Sequence, residues 1–389
     1  MDNEFDRVIP RNGTFSLKYD GRMDAFGRNN VLPLWVADMD FAVPAAVSKA
    51  LMARAAHPLY GYTVYPESLY EALISWLYKR HAWPVKREWI VMCPGVVPTL
   101  HAAILALSQP DDAVIVQPPV YAPFLAAPEI VGRRLMPNPL MFEDGRYRFD
   151  LDHFEQCAAA GARLLLLCSP HNPVGRVWQA DELQALLDIC QRYEITVVAD
   201  EIHADLIYPG RHHTPLAKLS DGAVKIVTTV APSKTFNIPG LGLSALIVPD
   251  EKDRAAIAKA FGTLHVGAAN PFSIVAFEAA YREGAPWLDG LLDYLEATCR
   301  FVRTFLQQHL PQIKLIEPEG TFLLWLDCRA MKLSDKQLKE FFVQDAGVGL
   351  SPGVLFGTEG SGFMRLNIGT PRSVIAQALE NIARAERAR

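Results

Sequence analysis

Residues 164–201 read LLLLCSPHNPVGRVWQADELQALLDICQRYEITVVADE. The stretch opens on an apolar run, Leu164-Leu165-Leu166-Leu167-Cys168, and closes on a second, Ile195-Thr196-Val197-Val198-Ala199. Between them, Ala180 to Tyr193 spaces Leu183, Leu186, Leu187 and Cys190 along one helix face. Strand, helix and strand in that order imply parallel strands joined by a crossover. Neither run alternates polar with apolar, so both faces of each strand should be covered. The pattern extends outward through two more apolar runs, Ala113–Gln117 and Lys225–Val230. Helices are expected from Pro66-Glu67 onward (Leu69, Leu73, Trp76, Leu77), over Thr99–Ser108 and over Trp287–His309. Strands at 321–327 and 363–369 flank a helix near 334–344, and a last helix follows Pro371. The expected fold is α/β, with a large domain over residues 46–285 whose mostly parallel sheet lies between helices. Residues 1–45 and 286–389 would form a smaller α+β domain.

A chain of 389 residues is long enough for two cores. Its net charge of −5 and lack of a basic stripe give no electrostatic reason to expect nucleic acid or an anionic membrane. No apolar run is as long as a membrane span, and the start, Met1-Asp2-Asn3-Glu4, carries no secretory pattern. The six cysteines (Cys93, Cys157, Cys168, Cys190, Cys299, Cys328) form no CxxC pair, as expected of reduced thiols in a cytoplasmic protein. His171 and His203 lack metal-ligand spacing, and the adjacent His212 and His213, near Gly210 and Pro215, read as a surface loop. No metal is expected.

In an open α/β sheet, ligands bind beyond the carboxyl ends of the strands. Four such ends deliver Pro118-Pro119-Val120-Tyr121, Ser169-Pro170-His171-Asn172-Pro173, Asp200-Glu201-Ile202-His203 and Ala231-Pro232-Ser233-Lys234. Singly, each has an ordinary reading: a solvated lysine, a capping aspartate, an Asn-Pro turn, a packed tyrosine. Together, an amine, an acid, an amide and an aromatic ring on one edge suit pyridoxal phosphate. Lysine forms the covalent anchor, the acid keeps the pyridine nitrogen protonated, the amide donates to the phenolic oxygen and the ring stacks. Pro94-Gly95-Val96-Val97-Pro98 leads into a helix whose free N–H groups can hold the phosphate. Gly240-Leu241-Gly242-Leu243-Ser244-Ala245 matches a dinucleotide fingerprint, but it precedes a strand where that motif needs a helix, so it reads as a tight turn.

These residues resemble class I/II aminotransferase-like enzymes of pyridoxal-phosphate fold type I, and more closely the MalY/PatB-type branch of cystathionine β-lyases or C–S lyases. The likeness rests on Phe5-Asp6-Arg7-Val8-Ile9, Leu34-Trp35-Val36-Ala37-Asp38-Met39-Asp40-Phe41, Gly61-Tyr62-Thr63, the strand-end strings above, Ser233-Lys234-Thr235-Phe236-Asn237 and Arg365-Leu366-Asn367. It implies Lys234 as the catalytic lysine and cofactor anchor, with Asp200 at the ring nitrogen. It implies Tyr121 stacking, Asn172 and His203 near the phenolic oxygen, and Ser233, Val96 and Val97 at the phosphate. Tyr62 would reach the phosphate of a second subunit, which makes a homodimer with shared sites. Arg365 would bind the α-carboxylate of an amino-acid substrate, with Ala37 beside it. Strand alternation puts Arg365 on one face with Phe363 and Asn367, and a guanidinium suits a carboxylate. Gly242 stands where aminotransferases carry a phosphate-binding arginine, and Ala231 where they often carry serine.

The resemblance implies α,β-elimination on cystathionine or another cysteine S-conjugate, giving pyruvate, ammonia and a thiol. The alternative is an aminotransferase acting on an amino acid and a 2-keto acid, since both reactions begin by removing the Cα proton. At least one of Pro118–Pro119 and Asn172–Pro173 is expected to be a cis peptide.

Overall fold

Leu164 to Cys168 are all buried because successive residues face opposite sides of the sheet. Leu165 and Leu167 pack with Leu183, Leu186, Leu187 and Cys190, whereas Leu164, Leu166 and Cys168 pack with Leu100, Ile104 and Phe124. Each fully buried leucine contributes about 1.5–3 kcal/mol, so a polar residue on either face would be costly. That double burial accounts for the unbroken apolar runs.

The computed structural model describes residues 3–263, 265–267 and 270–389. Its main sheet contains β1 (Ile90–Cys93), β2 (Ala113–Val116), β3 (Arg134–Pro137), β4 (Ala162–Cys168), β5 (Thr196–Asp200), β6 (Ile226–Val230) and β7 (Ser244–Ile247). The spatial order is β1-β7-β6-β5-β4-β2-β3. Neighbours from β6 to β3 are parallel, while β7 runs antiparallel to both β6 and β1. Helices α1 (Glu67–His81), α2 (Val96–Leu107) and α3 (Ala180–Arg192) belong to this part, and α4 (Ala285–His309) follows it. A second, antiparallel sheet holds β8 (Lys314–Leu315), β9 (Leu323–Asp327), β10 (Ser351–Pro352) and β11 (Phe363–Asn367) in the order β8-β9-β11-β10, followed by α5 (Arg372–Ala388). Leu32–Pro33 pairs in parallel with Val348–Gly349, tying the N-terminal segment to the C-terminal part.

Two expected helices differ from those observed. Helix α2 starts at Val96, not Thr99, because Gly95 at φ 131° turns the chain sharply and Pro98 sits in the first turn, where no N–H is required. The helix expected over 334–344 is α-helical only for Asp335–Glu340, and Phe341–Asp345 winds as a π-turn that buries Phe341, Phe342 and Val343 in succession. The glycine motif is a tight turn, as read: one 3-10 turn over Pro239–Leu241 and Gly242 at φ 46° lead into β7. Pro118–Pro119 and Asn172–Pro173 are both cis, and so is Ser169–Pro170. No helix among the described residues is long and apolar enough to cross a membrane.

Candidate active site

Parallel strands bring their carboxyl ends to one edge, and here that edge opens on a cavity of about 320 Å³. Strand β5 ends at Asp200 and β6 runs into the one-turn helix Pro232–Thr235, which carries Ser233 and Lys234. Both Asp200 and Lys234 line the cavity, as do Asn172, His203 and Tyr121 from the neighbouring strand ends. Val96 and Val97 at the start of α2, Ser233 from the lysine turn and Ala37 from the N-terminal segment complete the expected set. Two members of the set do not line the cavity: Arg365, which lies behind Asn172, and Tyr62, which is fully exposed and away from the cavity of its own chain.

The electrostatics follow from burial. Lys234 Nζ donates to Ala37 O at 2.6 Å, and desolvation, aided by the Arg365 cation, lowers the amine to about 8. An amine of that strength is partly unprotonated near neutral pH and therefore nucleophilic. Asp200 is 4 % exposed, and burial raises its carboxyl to about 7 even though Ile202 N–H donates to it at 3.1 Å. Among the described residues that N–H is its only hydrogen-bond donor, so a cation placed opposite would strongly favour the ionised form. His203 is held neutral by burial, its pKa pushed down to about 3, and its Nδ1 has no partner among the described residues. Arg365 is 5 % exposed, and burial lowers it to about 10. Its Nη1 donates to Asn172 Oδ1 at 3.0 Å and its Nη2 to Trp35 O at 2.7 Å, while Nε is buried without a partner among the described residues. Arg365 thus joins the cavity through Asn172.

At the start of α2, the first N–H groups lack a carbonyl one turn back. Pro98 has no N–H and Thr99 N–H already bonds Gly95 O at 3.3 Å, which leaves Val96 and Val97 facing the cavity. With the Ser233 hydroxyl they make a cradle of donors of the kind that suits a phosphate. Gly242, in the same wall, adds no cation.

Residues 35–41 do more than the strings suggested. Asn367 Nδ2 donates to Val36 O and Asp38 O, and Asn237 bonds Met39 N–H, Met39 O and Phe41 O. Lys18, wholly buried, pairs with Asp40 at 3.0 Å, and Arg11 bridges Asp38 and Asp40. These contacts hold Ala37 over Lys234. Alternation placed Asn367 on a face with Arg365 and the lysine motif contained Asn237, but neither was given a role from sequence, and nothing local marked Lys18. One reading is corrected: His213 is not a surface residue, since its side chain is buried and its Nε2 lies 3.0 Å from Glu201 Oε2, whereas His212 is exposed. His171 is buried and neutral, facing Pro119 O at 3.0 Å.

The sequence matches the model of the Aminotransferase class I and II family over residues 29–382. The chain belongs to that family. It is 42 % identical to cystathionine beta-lyase PatB of Bacillus subtilis over 383 residues, covering 98 % of this chain and 99 % of that one. It is 32 % identical to Protein MalY of Escherichia coli, covering 99 % of each. The fold superposes on cystalysin of Treponema denticola, solved with a pyridoxal 5'-phosphate cofactor, with a TM-score of 0.95, 35 % identity and full coverage of both chains. The groups in the cavity suit that cofactor. The cradle fits a phosphate, the buried Asp200 needs a cation such as a pyridinium, and Lys234 is an amine of suitable strength.

Proposed function

We propose that this chain is a pyridoxal-phosphate-dependent C–S β-lyase that cleaves cystathionine or related cysteine S-conjugates. The observation that carries the reading is the single cavity containing a weakened lysine amine, a desolvated aspartate and a helix start, with a buried arginine beside it. The 42 % identity to a cystathionine beta-lyase supports the substrate class. When bound, the cofactor supplies an electrophilic carbon and a cationic ring that accepts electron density from Cα.

Each protein group has a defined task. Val96 and Val97 N–H and the Ser233 hydroxyl would hold the phosphate, Asp200 would keep the ring nitrogen protonated, and Tyr121 would cover a ring face. Arg365 binds the substrate α-carboxylate, which orients the Cα–H bond toward Lys234. Lys234 would be the residue that anchors the cofactor, and its free amine would take the Cα proton of the substrate. The Cβ–S bond then breaks: its electron pair leaves on sulfur, which is protonated to the thiol. The remaining 2-aminoacrylate takes up water and yields pyruvate and ammonia.

The unit is a homodimer in this reading. Met52, Leu59, Tyr60, Tyr62 and Val64 are exposed, too apolar a stretch to be left in water, and Tyr62 is free to enter a second subunit's cavity. Six buried cysteines without a bridge support a reducing, cytoplasmic setting. The deciding assay gives the purified protein cystathionine or S-methylcysteine with no keto acid. Pyruvate, ammonia and thiol are expected, with none from Lys234→Ala. Amino transfer to an added keto acid, with no pyruvate from any conjugate, would favour the aminotransferase reading instead.

A further inference from the structure

The turn that carries Lys234 is four residues long, Pro232–Thr235, too short to be stable by itself. Its position must be set by what touches it. On the cavity side the only grip on Lys234 among the described residues is the bond from its Nζ to Ala37 O, which is given up whenever the amine does chemistry. On the opposite side, Thr235 Oγ1 donates to Asp205 Oδ2 at 2.9 Å. Asp205 is itself held from α1: Trp76 Nε1 donates to Oδ1 at 3.0 Å, and His81 Nε2 lies 2.8 Å from the same oxygen. Trp76 also packs edge-on against Phe236, just beyond the turn, at 5.4 Å between ring centroids. Asp205 lies five residues after Asp200, so one short segment fixes both the acid of the cavity and the footing of its lysine.

Resting on the lyase reading above, we propose that Asp205, acting through the Thr235 hydroxyl, is a positioning residue for Lys234. It keeps the amine in line with the Cα proton during the interval in which Lys234 is bound to nothing else. Burial would by itself raise the Asp205 carboxyl, but His81, Thr235 and Trp76 reverse this and hold it below the usual range. The anchor is therefore ionised throughout the pH range in which Lys234 works, and the charge strengthens the bond from Thr235. None of these three partners lines the cavity around Lys234, so they act on the reaction only through the backbone turn.

The test compares Thr235→Val, which keeps the shape and removes the donor, with Thr235→Ser, which keeps the donor. Misplacing the amine should lower kcat by about 10- to 100-fold in the valine variant while KM stays within about two-fold, and the serine variant should stay within about three-fold of the parent. A second readout uses the cofactor-free protein, where limiting acetic anhydride labels lysines in proportion to their access to solvent. Loosening the turn should raise labelling of Lys234 by about five-fold or more relative to Lys18, a wholly buried lysine whose labelling reports any general opening. Unchanged kcat and labelling in Thr235→Val would overturn the proposal. So would a serine variant as impaired as the valine variant, or Lys18 labelling that rises in step with Lys234. Lys234→Ala separates this from the parent reading: if it still binds cofactor covalently and releases pyruvate, the lyase reading fails. If it loses both while Thr235→Val is silent, only the positioning role fails.

Discussion

Replacing Asp200 by asparagine should stabilise the cofactor-free protein, and by more as the pH rises. The carboxyl is 4 % exposed, and burial moves it from the usual 3.8 up to about 7. A group whose pKa rises on folding contributes stability that is present at low pH and lost as pH climbs, because the unfolded chain ionises first. At 1.36 kcal/mol per unit, the roughly three-unit rise makes ionised Asp200 cost about 4 kcal/mol at pH 8. At pH 5, where only the unfolded chain has largely ionised, the same arithmetic leaves about 1.5 kcal/mol. Asparagine has no proton to lose and can still accept from Ile202 N–H. The stability gap between Asp200→Asn and the parent should therefore widen by about 2.5 kcal/mol between pH 5 and pH 8. Urea unfolding of both cofactor-free proteins at one protein concentration measures the gap directly. With cofactor bound the order should reverse, since the parent's carboxylate then faces a cation and the amide does not. A gap that is equal at the two pH values would refute the claim that Asp200 is desolvated.

Arg365→Lys keeps a charge but loses the fork that reaches both Asn172 Oδ1 and Trp35 O. Its kcat/KM should fall through KM, by an amount near the lower end of the about 2–5 kcal/mol typical of a broken buried charge pair, and kinetics on S-methylcysteine would show a kcat-only loss if the role is misassigned. Where Tyr62→Phe alone removes most activity, mixing it with Lys234→Ala subunits should yield heterodimers more active than either parent, as one site in each is intact; no gain after verified subunit exchange would count against sharing. Gly95→Ala should weaken pyridoxal phosphate by roughly ten-fold, because a residue at φ 131° is strained by about 1–3 kcal/mol and the cradle shifts. Phosphate-free pyridoxal should be unaffected by that change, and an equal loss for both in equilibrium dialysis would place the strain elsewhere.

Much of this protein is determined locally. The unbroken runs Leu164–Cys168 and Thr196–Ala199 declare a doubly covered parallel sheet, since only burial on both faces tolerates such strings. A parallel sheet in turn gathers the residues after its strands on one edge, so Tyr121, Asn172, Asp200 and Lys234 could be assembled from strand order alone. Family motifs extended that set to Val96, Val97, Ser233, His203, Ala37, Arg365 and Tyr62, and all but Arg365 and Tyr62 line the cavity directly. The start of α2 was misplaced by three residues because a proline, which ends most helices, is tolerated in the first turn. What only the tertiary structure decided are contacts between residues far apart in the chain. Lys18 with Asp40, Asn237 with Met39, Asn367 with Val36 and Asp205 with Thr235 are polar pairs that no periodicity reports. His213 shows the same limit: its neighbours in sequence look like a surface turn, and only Glu201, brought up from the end of β5, makes its burial possible. Periodicity records which side of an element meets the core. Which polar atoms meet across it is decided by packing.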